Sequence, residues 1–360
     1  MVAVLLVVAA TPYVAQQGPP QLALQPDPDF FKMPPGLNFG EPVAVDVDRR
    51  GHVFVADRGG ISGPAYGAAS SRVLEFDSEG EFVQEMGKDL YSASYIHGLR
   101  VDSEGNIWIA DKGSDTVVKL TPSGHVAGVF GRRSEASEPS GQGPPSVTRA
   151  SALKSPPEHR NGRFRQPTDM AWDSRGNLYV ADGYINSRVA VYDKDGVWVK
   201  SVGEQGTGPG QFVNVHNIVI DDQDRIYVAD RANSRIQVFD RNFAFLYEWT
   251  HLAQIPWPAA PSWWGEMIPA GATTGASPGG PGAPWALCIP PGSQNLYVGD
   301  GFPGRMYKLT LDGKVLGMYG SQGRQPGQFS WIHGLACPSD NEFYMADELN
   351  WRVQRVVARQ

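Results

Sequence analysis

Short apolar runs of about five residues, broken every few positions by Gly, Pro, Asn, Asp or Ser, recur through this chain, and no long stretch repeats apolar residues at helical spacing. Such a pattern predicts short antiparallel strands and an all-β fold. One unit shows the plan. Gly98–Asp102 reads as a strand, Ser103-Glu104-Gly105-Asn106 as a turn and Ile107–Asp111 as a second strand. Thr116–Leu120 follows as a third strand, Pro122-Ser123-Gly124 as a turn and His125–Phe130 as a fourth. Four consecutive antiparallel strands make one propeller blade.

The unit repeats. An aspartate closing the second strand recurs at Asp57, Asp111, Asp182, Asp230, Asp300 and Asp347, and units begin near Pro42, Ile96, Pro167, Val215, Pro284 and Ile332. Six such landmarks predict six blades. Gly208-Pro209-Gly210-Gln211-Phe212 and Gln325-Pro326-Gly327-Gln328-Phe329 precede the fourth and sixth units, and repeats of this design resemble NHL repeats. The last unit stops at its third strand, Arg352–Val357, so a segment around 22–33 is expected to supply the fourth, closing the ring and covering an open edge.

Other segments lie outside the repeat. Residues 1–15 hold the apolar run Val2–Ala10, too short to span a bilayer and of the length of a signal-peptide apolar region, although a positively charged start is missing. Residues 16–41 read as a linker and the closing strand. Residues 42–360 read as the propeller, interrupted by insertions at 132–163 and 251–283, the second carrying Trp263-Trp264. Export to the periplasm or outside the cell follows as an expectation, with no integral membrane span. Gly 42 and Pro 29 agree with a turn-rich fold. A net charge of −7 and no basic cluster longer than Arg132-Arg133 argue against a nucleic-acid partner. Cys288 and Cys337, the two cysteines, fit one disulfide or two buried thiols and no zinc knuckle.

Candidate chemistry sits at one slot of the repeat. In unit order it holds Val43, His97, Thr168, His216, Trp285 and His333, so three of the seven histidines occupy alternate units. The first strand of each blade lines the central channel. Three imidazoles converging there, with open coordination positions, match a catalytic zinc site. One histidine at a strand start would be an ordinary satisfied polar residue; three in alternate units form a pattern.

The second strand runs back antiparallel, so residues just after each landmark aspartate share this face. They are Arg58-Gly59, Lys112-Gly113, Gly183-Tyr184, Arg231-Ala232, Gly301-Phe302 and Glu348-Leu349. Arg58 and Tyr184 stand out, since a guanidinium grips a carboxylate and a phenol near positive charge can move a proton.

These residues carry a resemblance. Asp57-Arg58-Gly59, Ile96-His97-Gly98-Leu99, Gln166-Pro167-Thr168-Asp169, Asp182-Gly183-Tyr184-Ile185-Asn186-Ser187-Arg188, Val215-His216, Ala229-Asp230-Arg231 and Ile332-His333 are similar to the peptidyl-α-hydroxyglycine α-amidating lyase family, over roughly residues 40–357. The resemblance implies zinc on His97, His216 and His333, Arg58 on the substrate carboxylate and Tyr184 as base. It implies cleavage of a peptidyl-α-hydroxyglycine or related carbinolamide into an amide and glyoxylate, by a monomer acting on a peptide or small molecule that bears a carboxylate. It further implies a structural calcium on the carbonyls of Val45 and Leu99 and an acid after the third histidine. Gly334 stands there, so that calcium lacks its carboxylate. Ile185 replaces the family's cysteine after the tyrosine. Two other readings stand beside this one: a non-catalytic NHL binding module, and a lactonase-like hydrolase, whose carboxylate and Asn calcium ligands the slot lacks.

Overall fold

Each unit folds as its own antiparallel sheet, because most tight turns between strands carry a residue in the left-handed conformation, most often Gly and elsewhere a residue such as Asp115, Ser187, Ser234 or Trp351. The computed structural model describes residues 18–59, 71–131, 159, 161–255 and 282–359, and among these lie six four-stranded sheets arranged as blades. The innermost strands are Pro42–Val47, Ile96–Val101, Asp169–Trp172, Val215–Ile220, Pro284–Cys288 and Ile332–Ser339. Each adjoins the next around the ring, and the last adjoins the first. The chain is a six-bladed β-propeller.

Burial decreases outward. Second strands such as Val53–Asp57 and Ile107–Asp111 are buried along their length, because neighbouring blades cover both faces. The outer strand Val126–Phe130 is largely exposed. Side chains of adjacent blades interleave, as Val43, Phe54 and Met86 do with Ile96, Ile109 and Val118.

The six landmark aspartates are fully buried. Each accepts hydrogen bonds from its own blade, and the four with an arginine opening the third strand tie that residue to the loop entering the first. Asp230, for example, accepts from the Val213 N–H at 3.0 Å and from Arg235 Nε at 2.9 Å. Asp347 does the same with the Ser330 N–H at 2.9 Å and Arg352 Nε at 3.1 Å. The landmark therefore fixes where the channel-facing slot begins.

Leu24–Asp27 closes the ring by pairing antiparallel with Arg352–Ala358, Leu24 opposite Ala358 and Asp27 opposite Arg355. The expected segment was longer. Phe30 and Phe31 leave the sheet and pack on Tyr344 and Phe76, covering the seam between the first and last blades. Cys288 and Cys337 form a disulfide with Cα atoms 6.1 Å apart, joining the innermost strands of blades five and six. The expected leader at 1–15, Trp263-Trp264 and most of both expected insertions lie outside the described residues. Among the described residues no helix is long and apolar enough to cross a membrane.

Candidate metal centre

The slot is built by backbone irregularity. In each of the three histidine-bearing strands the register with the second strand shifts at the slot, between Ile96 and Gly98, Val215 and Asn217, and Ile332 and Gly334. A bulge there leaves one residue unpaired and turns it out of the sheet. His97, His216 and His333 meet in this way on the axis, their ligand atoms all within 4.8 Å of one another.

The blades between them hold the rings. His97 Nδ1 lies 2.9 Å from the Thr168 carbonyl, His216 Nδ1 2.7 Å from that of Trp285, and His333 Nδ1 2.7 Å from that of Val43. Thr168, Trp285 and Val43 occupy the same slot in the next blade each time. A carbonyl accepts only from N–H, so each ring carries its proton on Nδ1 and presents a bare Nε2. Alternation around the ring therefore has a physical cause: one blade gives the imidazole, the next the carbonyl that aims it. All three rings titrate well below the usual histidine range, first through burial and also through neighbouring positive charge. They are neutral, as ligands must be. His216 Nε2 is buried without a hydrogen-bond partner among the described residues. An orphaned acceptor of this kind fits a metal, and three imidazoles fit zinc, with the Glu348 carboxylate 3.9 Å from His333 Nε2 and paired to Arg58.

Above the rings lie the residues that follow the landmarks. Tyr184 Oη is 3.2 Å from His97 Nε2. Burial would raise this phenol, but Arg231, Lys112 and Arg58 outweigh it and hold it below its ordinary value. Arg58 is buried; Nε donates to the Ile96 carbonyl at 2.8 Å, Nη1 donates to Glu348 Oε1 at 2.7 Å, and the guanidinium lies 4.0 Å from the Tyr95 ring centroid. The sequence put Arg58 on the right face but did not reveal that Glu348 already pairs with it. Lys112, Arg231 and Glu348 were visible only as neighbours in the repeat; a charged residue after three different landmarks was the available signal. Arg231 lies 4.1 Å from the Trp285 ring centroid, and its Nη1 is 3.5 Å from Tyr184 Oη.

Val45 and Leu99 line the narrow channel just beneath the histidines, with Arg100, Asp169 and Gly334. The residues present do not fit a calcium there. A Cβ on Gly334 would fall 2.7 Å from Ala44 Cα and 2.8 Å from the Val43 carbonyl oxygen, so no acid can stand in its place without displacing backbone. The nearby carboxylates are already engaged: Asp169 takes Arg100 Nε at 3.0 Å and Nη2 at 2.6 Å, and Asp46 accepts from the Val101 N–H at 2.8 Å and the Val47 N–H at 3.0 Å. A guanidinium supplies the positive charge in this part of the channel.

The comparisons with known proteins agree with this geometry in outline. A family described as a 6-bladed beta-propeller matches residues 168–256. The chain is similar to the peptidylglycine alpha-amidating monooxygenase of Rattus norvegicus, 35% identical over 166 residues, which are 44% of this chain and 15% of that protein. It is similar to peptidyl-alpha-hydroxyglycine alpha-amidating lyase 1 of Drosophila melanogaster, 26% identical over 78% of this chain and 47% of that protein. The match thus spans less than half the length of either relative. Among solved structures, a streptogramin B lyase shares the fold with a TM-score of 0.54 at 12% identity, over 93% of this chain and 97% of that one. The relatives named amidating lyase support a lyase-like propeller.

Proposed function

We propose that this chain is a zinc-dependent lyase that cleaves the C–N bond of a peptidyl-α-hydroxyglycine, or a related carbinolamide, to an amide and glyoxylate. The observation that carries this reading is the set of three carbonyl-anchored imidazoles with converging Nε2 atoms and a phenol 3.2 Å from one of them. His97, His216 and His333 would hold the zinc, which when bound supplies a Lewis acid that makes a substrate hydroxyl easier to deprotonate. Arg58, the residue expected to bind the substrate carboxylate, is held by Glu348 and adds positive field to the same face, so the carboxylate is assigned instead to Arg231, whose Nε has no hydrogen-bond partner among the described residues. Tyr184, kept acidic by these cations, takes the hydroxyl proton. The hydroxyl oxygen's electrons form the aldehyde C=O as the C–N bond breaks, and Tyr184 returns the proton to the departing amide nitrogen. Water is neither consumed nor produced. The disulfide and the apolar run Val2–Ala10 support an exported protein.

Incubation of the zinc-loaded protein with N-benzoyl-α-hydroxyglycine should release glyoxylate and benzamide in equal amounts. Zinc binding without glyoxylate would leave the metal centre in place and remove the proposed reaction. Neither zinc nor glyoxylate would favour a binding module.

A further inference from the structure

The face above the histidines brings together more cations than direct contact with one carboxylate would occupy. Arg58, Lys112 and Arg231 gather there with Tyr95 and Tyr184. Against them stand Glu348, 2.7 Å from Arg58 Nη1, and the more distant Glu41, 3.9 Å from the same atom. Both acids lie nearest the same guanidinium, although Glu348 also turns Oε2 to within 3.9 Å of His333 Nε2 and is felt by Lys112 and Arg231. Arg231 and Lys112 form no ion pair among the described residues, and Arg231 Nε is buried without a hydrogen-bond partner there. Lys112 is held by rings alone, its ammonium 3.7 Å from the Tyr184 centroid and 5.2 Å from that of Tyr95. Cation–π contact orients an ammonium without neutralising it. A partly buried ammonium with no direct ion pair, beside a candidate reaction centre, attracts an anion.

Arg231 accounts for the carboxylate of an α-hydroxyglycine, which leaves Lys112 without an assigned partner. We infer that Lys112 sets specificity by receiving a second anionic group, so that the preferred N-acyl-α-hydroxyglycine carries an acid in its acyl portion. This inference rests on the lyase reading for the substrate's identity, but the subsite itself is a property of the folded chain.

The test uses two inert ligands that lack the hydroxyl and cannot be cleaved: N-succinylglycine, with an acid in its acyl chain, and N-butyrylglycine, which shares the glycine carboxylate but has an uncharged acyl chain. Calorimetric titration of the zinc-loaded protein should give about tenfold tighter binding for N-succinylglycine. Lys112→Met should bring the two ligands to parity by weakening N-succinylglycine far more than N-butyrylglycine, and Lys112→Arg should retain the preference. A thermal melt of each variant confirms that it folds. Equal binding of both ligands by the wild-type protein would overturn the inference. So would a Lys112→Met variant that weakens both alike, since that marks Lys112 as a support for Tyr184. Failure of the lyase reading shows separately, as absent glyoxylate from N-benzoyl-α-hydroxyglycine with the ligand preference intact.

Discussion

At the scale of single residues, the centre depends on where each imidazole keeps its proton. The carbonyls of Thr168, Trp285 and Val43 hold that proton on Nδ1 and leave Nε2 free. His216→Ala removes one of three ligands, so its zinc affinity should fall by more than the ~10–100-fold typical of outer-shell changes, read as bound zinc after dialysis. Tyr184→Phe should keep its zinc and lose roughly 10²–10⁴ in the rate of glyoxylate release, because only the proton transfer is removed. A Tyr184→Phe protein as fast as the parent would exclude the phenol as the base. The three histidines were legible in the sequence because the repeat supplies its own internal comparison. The carbonyl partners were not, since backbone groups carry no sequence signature. Nor was the Arg58–Glu348 pair, which joins the first blade to the last across 290 residues.

Element by element, the blades were legible because each strand, turn and landmark aspartate repeats six times with a local cause. The bulges that turn the slot toward the axis were not, because an extra residue in one strand shows only against its partner. Gly334 sits at one of these bulges, packed on the backbone of Val43 and Ala44. Gly334→Ala should destabilise the protein by about 1–3 kcal/mol in denaturant unfolding, and should also weaken zinc binding, because Val43 carries the carbonyl that aims His333.

Asp115, in the turn between the second and third strands of blade two, offers a pH signature. Burial pushes its carboxyl up to about 7 from an ordinary 3.8. The native state then keeps a proton that the unfolded chain releases, so this group's stabilising contribution is full below about 4 and is lost as pH rises through about 7. Asn at this position can still accept the hydrogen bond from the Gln166 N–H and tolerates the left-handed backbone, φ 59°. Asp115→Asn should therefore melt near the wild-type temperature at pH 4 and above it at pH 8. A constant difference across that range would assign the carboxyl no such role.

Over the whole molecule, the ring must close for three rings from blades two, four and six to stay on one axis. Two devices act on the closing half: the strand Leu24–Asp27 paired to Arg352–Ala358, and the disulfide between blades five and six. The first was legible, since the last blade lacked a strand; the second stayed open, because two cysteines in sequence are equally consistent with thiols. A cross-link spanning 49 residues stabilises by roughly 4 kcal/mol in the chain-entropy estimate. The double variant Cys288→Ala, Cys337→Ala should lose about 2–4 kcal/mol in denaturant unfolding while its zinc content stays the same, because neither cysteine touches the centre.

The most direct measurement of the central claim is glyoxylate release from N-benzoyl-α-hydroxyglycine by one preparation assayed as purified, after chelation and after zinc is restored. Activity that falls with the bound zinc, returns at one zinc per chain and is absent from His216→Ala is the predicted result. Glyoxylate release that persists in the fully chelated protein, or in His216→Ala at the parent rate, would contradict it.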